Sequence, residues 1–160
     1  MSQSGGDSYI ASRPLGGDSK RFSHNFIVTD AEYIGDTNAN VISYGNNAQG
    51  RVGRVDENTT GFSEGTHAAD IAAWEGFKGT SPDNPNLVRI PASSFAVRSA
   101  AAALIENQDY SAIAGPFGAN SNSAAQAVAN RAAGFPLAVP GAPRIAPGAG
   151  SWREIQFRGR

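Results

Sequence analysis

The chain has 160 residues, with 13 Lys and Arg against 14 Asp and Glu and no cysteine. Its length suits one compact domain, and a net charge of −1 offers no basic field for a polyphosphate, which excludes non-specific nucleic-acid binding. The missing thiols exclude disulfides, thiolate metal sites and cysteine nucleophiles.

Met1 to Ser8 has neither a basic region nor an apolar run, so it reads as a flexible arm rather than a signal peptide, with 9–160 as a single domain. Asp7 to Leu15 carries Tyr9-Ile10-Ala11 and then Pro14, which predicts a short edge strand because proline cannot donate to a ladder. Phe22 to Thr29 is the clearest strand, with Phe22, His24, Phe26 and Val28 on one face and Ser23, Asn25, Ile27 and Thr29 on the other. Ala31 to Ile34 extends it, and Ala39 to Tyr44 and Arg51 to Val55 are further strand candidates between Gly, Asp and Asn turns.

The periodicity then turns helical. Ile71, Trp74 and Phe77 predict a helix ending at Lys78, with Thr66 as N-cap and Gly79 as terminator. Leu87 to Ile90 predicts a short strand, and Ser93 or Ser94 caps a second helix, Phe95 to Glu106, that packs Phe95, Leu104 and Ile105. A third helix runs from about Ser121 to Ala133 and stops at Gly134. Pro136, Pro140, Pro143 and Pro147 forbid regular structure, after which Ser151 to Arg158 alternates like a strand. The longest uncharged stretch, Tyr110 to Asn130, is too polar to span a membrane. The sum is an α+β domain: a small antiparallel sheet packed against about three helices, with an irregular proline-rich C-terminal segment.

Several familiar motifs fail. Asp36-x-Asn38-x-Asn40 opens like a calcium loop, but Val41 replaces the glycine and Asn47 the closing glutamate, leaving a hairpin turn. Gly16-Gly17-Asp18-Ser19-Lys20 lacks the first glycine of a phosphate loop. Two histidines without His-Glu-x-x-His spacing build no zinc site, and no cofactor is implied. Asn58-Thr59-Thr60 matches a glycosylation acceptor by chance, without an export signal.

Two places combine polar chemistry with a structural address. His24 sits inside the best strand, and Asn120-Ser121-Asn122-Ser123 opens the third helix after Gly115-Pro116-Phe117-Gly118. A helix start offers unpaired N–H groups and the positive end of a dipole. A hydroxyl there, beside an imidazole from a neighbouring strand, supplies nucleophile, base and oxyanion donors for acyl transfer. Asp30 or Asn25 is a candidate to orient the ring. The bland reading is that Asn and Ser are good N-caps and that a strand histidine is a hydrogen-bonded core residue.

Taken in order, Ser23-His24-Asn25-Phe26-Ile27-Val28, Tyr110, Gly115-Pro116, Asn120-Ser121-Asn122-Ser123-Ala124 and Gly134 resemble bacterial domains of the circularly permuted papain-like superfamily. In that superfamily the histidine strand precedes the nucleophile helix, and lecithin:retinol acyltransferase-like members place Asn-Cys at the helix start. The resemblance, covering roughly His24 to Pro147, makes His24 the base and puts Ser121 at the cysteine position. It implies a hydrolase or acyltransferase acting on an amide or ester bond of a peptidoglycan peptide or a lipid. Asn120, Asn122 and Ser123 support the site, the amides of Asn122 and Ser123 helping to form the oxyanion hole. Serine is the departure, since those devices make a thiolate far more readily than an alkoxide. Either Ser121 or Ser123 is therefore a serine nucleophile, or the domain is an inactive binding or structural module of a larger assembly, an oligomer included, or of a secreted effector. His67 is expected to be exposed near a helix start. With no leader read in the sequence, the chain is expected to be soluble and cytoplasmic unless a dedicated machine exports it.

Overall fold

The computed structural model describes residues 6–15, 21–46, 51–106, 119–146 and 148–159, the side chains of Phe62, Ala119 and Asn120 excepted. Five strands, β1 (Asp7–Pro14), β2 (Ser23–Ala31), β3 (Asn40–Asn46), β4 (Val52–Val55) and β5 (Leu87–Ile90), form one antiparallel sheet ordered β4-β3-β2-β1-β5. Among the described residues three α-helices, α1 (Thr66–Gly76), α2 (Ser94–Ala103) and α3 (Ala119–Ala133), accompany it, with 3-10 turns at Gly61–Ser63 and Ala149–Glu154. The chain is an α+β protein. No helix among the described residues is long and apolar enough to cross a membrane.

Alternation along the strands sends side chains to two separate cores. On one face Ile10, Ile27, Ile42, Tyr44 and Ile90 meet Val97 of α2 and Ala124 and Val128 of α3. On the other, Tyr9, Ala11, Phe26, Val28 and Val41 meet Trp74 of α1. The sheet is thus a middle layer. The alanine content finds its use in α3, where every residue from Ser121 to Asn130 is buried. Small side chains let a helix enclosed on all sides approach the sheet closely, and the polar ones must then find partners.

Five expectations need correction. β1 is interior, paired with both β2 and β5, and Pro14 is tolerated because it is the last residue of the strand. Asp7 and Ser8 belong to β1 rather than to a terminal arm. α1 is preceded by Gly65 at φ 78 with no side-chain cap, so Thr66 does not serve as N-cap. Phe95 is 71% exposed, and Ser151–Arg158 is no strand: its first residues form the 3-10 turn and Phe157 alone bridges Leu104. Ser93 does cap α2, accepting from the Ala96 N–H at 3.0 Å, and Gly134 follows α3 at φ 84. The Asp36 turn is a hairpin device, its carboxylate accepting the N–H groups of Glu32 and Asn38, each at 2.9 Å.

The placement of α3 follows from a gap in the sheet. β2 pairs with β3 only from Ile27 to Thr29, because β3 then turns toward β4. The remaining edge of β2 is covered by other groups. Ile145 accepts from the Ser23 N–H at 2.8 Å and donates to the Arg21 carbonyl at 2.7 Å. The Asn122 carboxamide then acts as a short substitute strand, accepting from the Asn25 N–H at 2.7 Å and donating to the Ser23 carbonyl at 3.0 Å. Both backbone groups would otherwise be orphaned in the interior.

Candidate functional site

With Asn122 fixed to β2, the preceding residue reaches the other face of the sheet. Ser121 Oγ lies 3.0 Å from His24 Nδ1, although 97 positions separate the two residues. His24 Nε2 lies 3.1 Å from Asp70 Oδ2 on α1. Alcohol, imidazole and carboxylate therefore form one hydrogen-bonded line across three elements. Relative exposures of 1% for Ser121, 4% for His24 and 0% for Asp70 make it a buried line.

Asp70 is the hub. Its Oδ1 accepts from Arg13 Nε at 2.6 Å, and its Oδ2 also accepts from Ser43 Oγ at 2.7 Å. Ser43 Oγ is in turn 3.0 Å from His67 Nδ1. Burial would raise the Asp70 carboxyl, but the charge of a protonated His24 and its hydrogen bond, the Arg13 guanidinium and the Ser43 hydroxyl outweigh it and hold it below the usual carboxylate range. A carboxylate can only accept, so the His24 nitrogen facing it must carry a proton. Neutral His24 then keeps a bare Nδ1, which accepts the Ser121 hydroxyl proton. Donor and acceptor accounting alone sets the ring as a base toward Ser121. Relative to the best-known serine triads, in which Nε2 faces the alcohol, the two ring nitrogens are exchanged.

The other candidates are distributed as follows. Neither Asp30 nor Asn25 orients the imidazole. Asp30 is committed to Arg98, with both carboxylate oxygens 2.5 Å from Nη1, and it sits near the opposite end of β2 from His24. Asn25 projects to the opposite face from His24 by strand alternation, and its carboxamide is buried with neither atom hydrogen-bonded among the described residues. Ser123 Oγ donates to the Gly148 carbonyl, anchoring α3 to the C-terminal segment. Asn122 is the clamp on β2. Asn120 is in the first turn of α3, and its side chain lies outside the described residues, as do Tyr110 and Gly115 to Gly118. His67 is half-buried and hydrogen-bonded rather than simply exposed.

Asp70, Arg13 and Ser43 are the site residues that the sequence reading passes over. Asp70 stands four residues before the buried Trp74, on the apolar stripe of an amphipathic helix. Arg13 shares a strand face with Tyr9 and Ala11, and Ser43 shares one with Val41. Polar residues at core positions of three elements carry the signal.

No family model, curated protein or solved structure matches this chain.

Proposed function

We propose that the chain is a papain-like hydrolase or acyltransferase with a serine nucleophile, acting on an amide or ester bond of a peptide or lipid. The observation that carries this reading is the Ser121–His24–Asp70 line, with contacts of 3.0 and 3.1 Å. In the proposed reaction Ser121 Oγ attacks the carbonyl carbon while its proton passes to His24 Nδ1. The carbonyl π electrons move onto oxygen at the positive end of the α3 dipole. Because α3 begins at Ala119, the N–H groups of Asn122 and Ser123 belong to its hydrogen-bonded ladder and are not the oxyanion donors that the resemblance implied. Collapse expels the amine or alcohol, which takes the proton back from Nδ1. Water or an acceptor alcohol then releases the acyl group by the same steps in reverse. Asp70 stays ionised throughout and balances the transient imidazolium.

The near-complete burial of Ser121 and His24 favours a second reading. In it, the polar line is internal scaffolding that ties α3, β2 and α1 together in a binding or structural module, as in an exported effector or a larger assembly. Treatment of the native chain with a small fluorophosphonate, followed by intact-mass and peptide analysis, separates the two. The enzyme reading expects one adduct, on Ser121, that disappears in His24→Ala. A native chain without any adduct overturns it in favour of the module.

A further inference from the structure

Asp70 is contested. Arg13 contacts only Oδ1, through Nε, and its Nη1 is directed to the Pro14 carbonyl at 3.4 Å. Guanidinium and carboxylate favour a two-point grip, and rotation of the Asp70 carboxylate toward Arg13 would give one by withdrawing Oδ2 from His24. Ser43 opposes that rotation, since its hydroxyl donates to Oδ2 at 2.7 Å, the oxygen that also accepts from His24. A serine hydroxyl has a single proton. With that proton spent on Asp70, Ser43 can only accept from His67, so His67 must carry hydrogen on Nδ1. The imidazole thereby fixes the hydroxyl rotor, and the rotor fixes the carboxylate.

We infer that Ser43 and His67 are positioning residues, a second hydroxyl–imidazole pair that holds Asp70 Oδ2 on His24 against the pull of Arg13. This deepens the hydrolase reading and rests on it for its catalytic meaning, although the geometry exists without turnover. His67 itself opens onto a small pocket of about 190 Å³ lined by Thr37, Asn40, Trp74 and Glu75. The relay thus runs from the buried alcohol to a place that solvent can reach. Glu75 of α1 is the carboxylate among the residues lining that pocket, Asp70 is linked to His67 through Ser43, and β3 contributes the uncharged Asn40 and Val41 to the lining.

The test reads the tautomer of His24 in the full-length chain by long-range proton–nitrogen spectra of ¹⁵N-histidine-labelled protein, at about pH 8, above the ordinary imidazole range. In the wild type the ring is expected almost wholly as the Nε2–H form. Ser43→Ala should raise the Nδ1–H fraction several-fold, and Ser43→Thr, which keeps the hydroxyl, should restore it. His67→Ala should act as Ser43→Ala does, while His67→Gln, whose carboxamide N–H still donates, should not. If Ser43→Ala does not fold, the two His67 variants decide alone. An unchanged tautomer in both alanine variants overturns the inference. A tautomer change in a chain that fluorophosphonate fails to label keeps this inference and removes the hydrolase reading instead; the converse pair of results does the opposite.

Discussion

Because the chain has no cysteine, Ser121→Cys would carry the only thiol, and its reactivity would report the electrostatics of the site without any knowledge of a substrate. The substituted sulfur would lie in the first turn of α3, beside His24 Nδ1, which now faces Ser121 Oγ at 3.0 Å. Both a helix start and an imidazolium favour the thiolate. An ordinary cysteine is about 0.3% ionised at pH 6, whereas one brought to a pKa of about 6 by such neighbours is about half ionised, a gain of roughly 150-fold. Lower basicity reduces intrinsic nucleophilicity with a Brønsted slope of about 0.5, which takes back roughly 20-fold. The net expectation is alkylation by iodoacetamide about five- to tenfold faster at pH 6 than for a free thiol, followed by mass spectrometry. Adding His24→Ala should remove the advantage. A rate no faster than that of the free thiol, and insensitive to His24→Ala, would refute the claim that helix and ring act on this position. Complete protection in the folded chain, with normal reaction after unfolding, would mean that the buried line is scaffolding.

Three further outcomes test the surrounding framework. Asp70→Asn replaces the acceptor of Arg13, His24 and Ser43 with a group that must turn an NH₂ toward one of them. Breaking a buried pair costs about 3–5 kcal/mol, and because the Arg13 side chain is 17% exposed the lower end is expected in urea unfolding, together with loss of fluorophosphonate labelling. Asn122→Ala orphans the Asn25 N–H and the Ser23 carbonyl, both now satisfied within 3.0 Å. At about 1–3 kcal/mol for each of the two orphans, the melting temperature should fall by roughly 5–20 °C in calorimetry. The lowered carboxyl of Asp70 also predicts an acid limb. Its contribution is fully present above the unfolded-state value of about 3.9 and is lost as pH falls through the folded-state value. The urea midpoint should therefore drop below about pH 4 in the wild type and more shallowly in Asp70→Asn.

Strand and helix identities were legible because each element carries its own period. His24, Phe26 and Val28 do share a face, and α3 does end at Gly134. What a local pattern lacks is the neighbour. Pro14 reads as an edge signal until the ladder is seen to end at that residue, and Phe95 reads as core although its helix presents Val97 and Ala100 to the sheet instead. The pairing of His24 with Ser121 was legible as an order of motifs. The orienting carboxylate was not, because it comes from an intervening helix packed on the far face of the sheet. Only alignment of three faces, bearing Arg13, Ser43 and Asp70, would have shown one polar cluster inside an apolar layer. A single buried charge on an amphipathic helix costs too much to be tolerated alone, so Asp70 among Ile71, Trp74 and Phe77 should have prompted a search for its partners.

Arg13 bears on both stability and reactivity, and its effects on them have opposite signs. Arg13 and His24 share one counter-ion, the Asp70 carboxylate, which accepts from the guanidinium at 2.6 Å and lies 3.1 Å from the ring. In the proposed reaction, proton transfer from Ser121 would give an imidazolium whose counter-ion already serves Arg13. At an effective dielectric constant of about 20, two cations on the order of 8–10 Å apart repel by about 2 kcal/mol, and screening brings this nearer 1 kcal/mol. Arg13→Gln retains an N–H for Asp70 Oδ1 and removes the charge. It should lower the urea midpoint while raising the fluorophosphonate labelling rate of Ser121 about fivefold. Asp70→Asn, by contrast, lowers both. Slower labelling in a folded Arg13→Gln chain would mean that Arg13 contributes by positioning Asp70, and that its charge does not oppose the base.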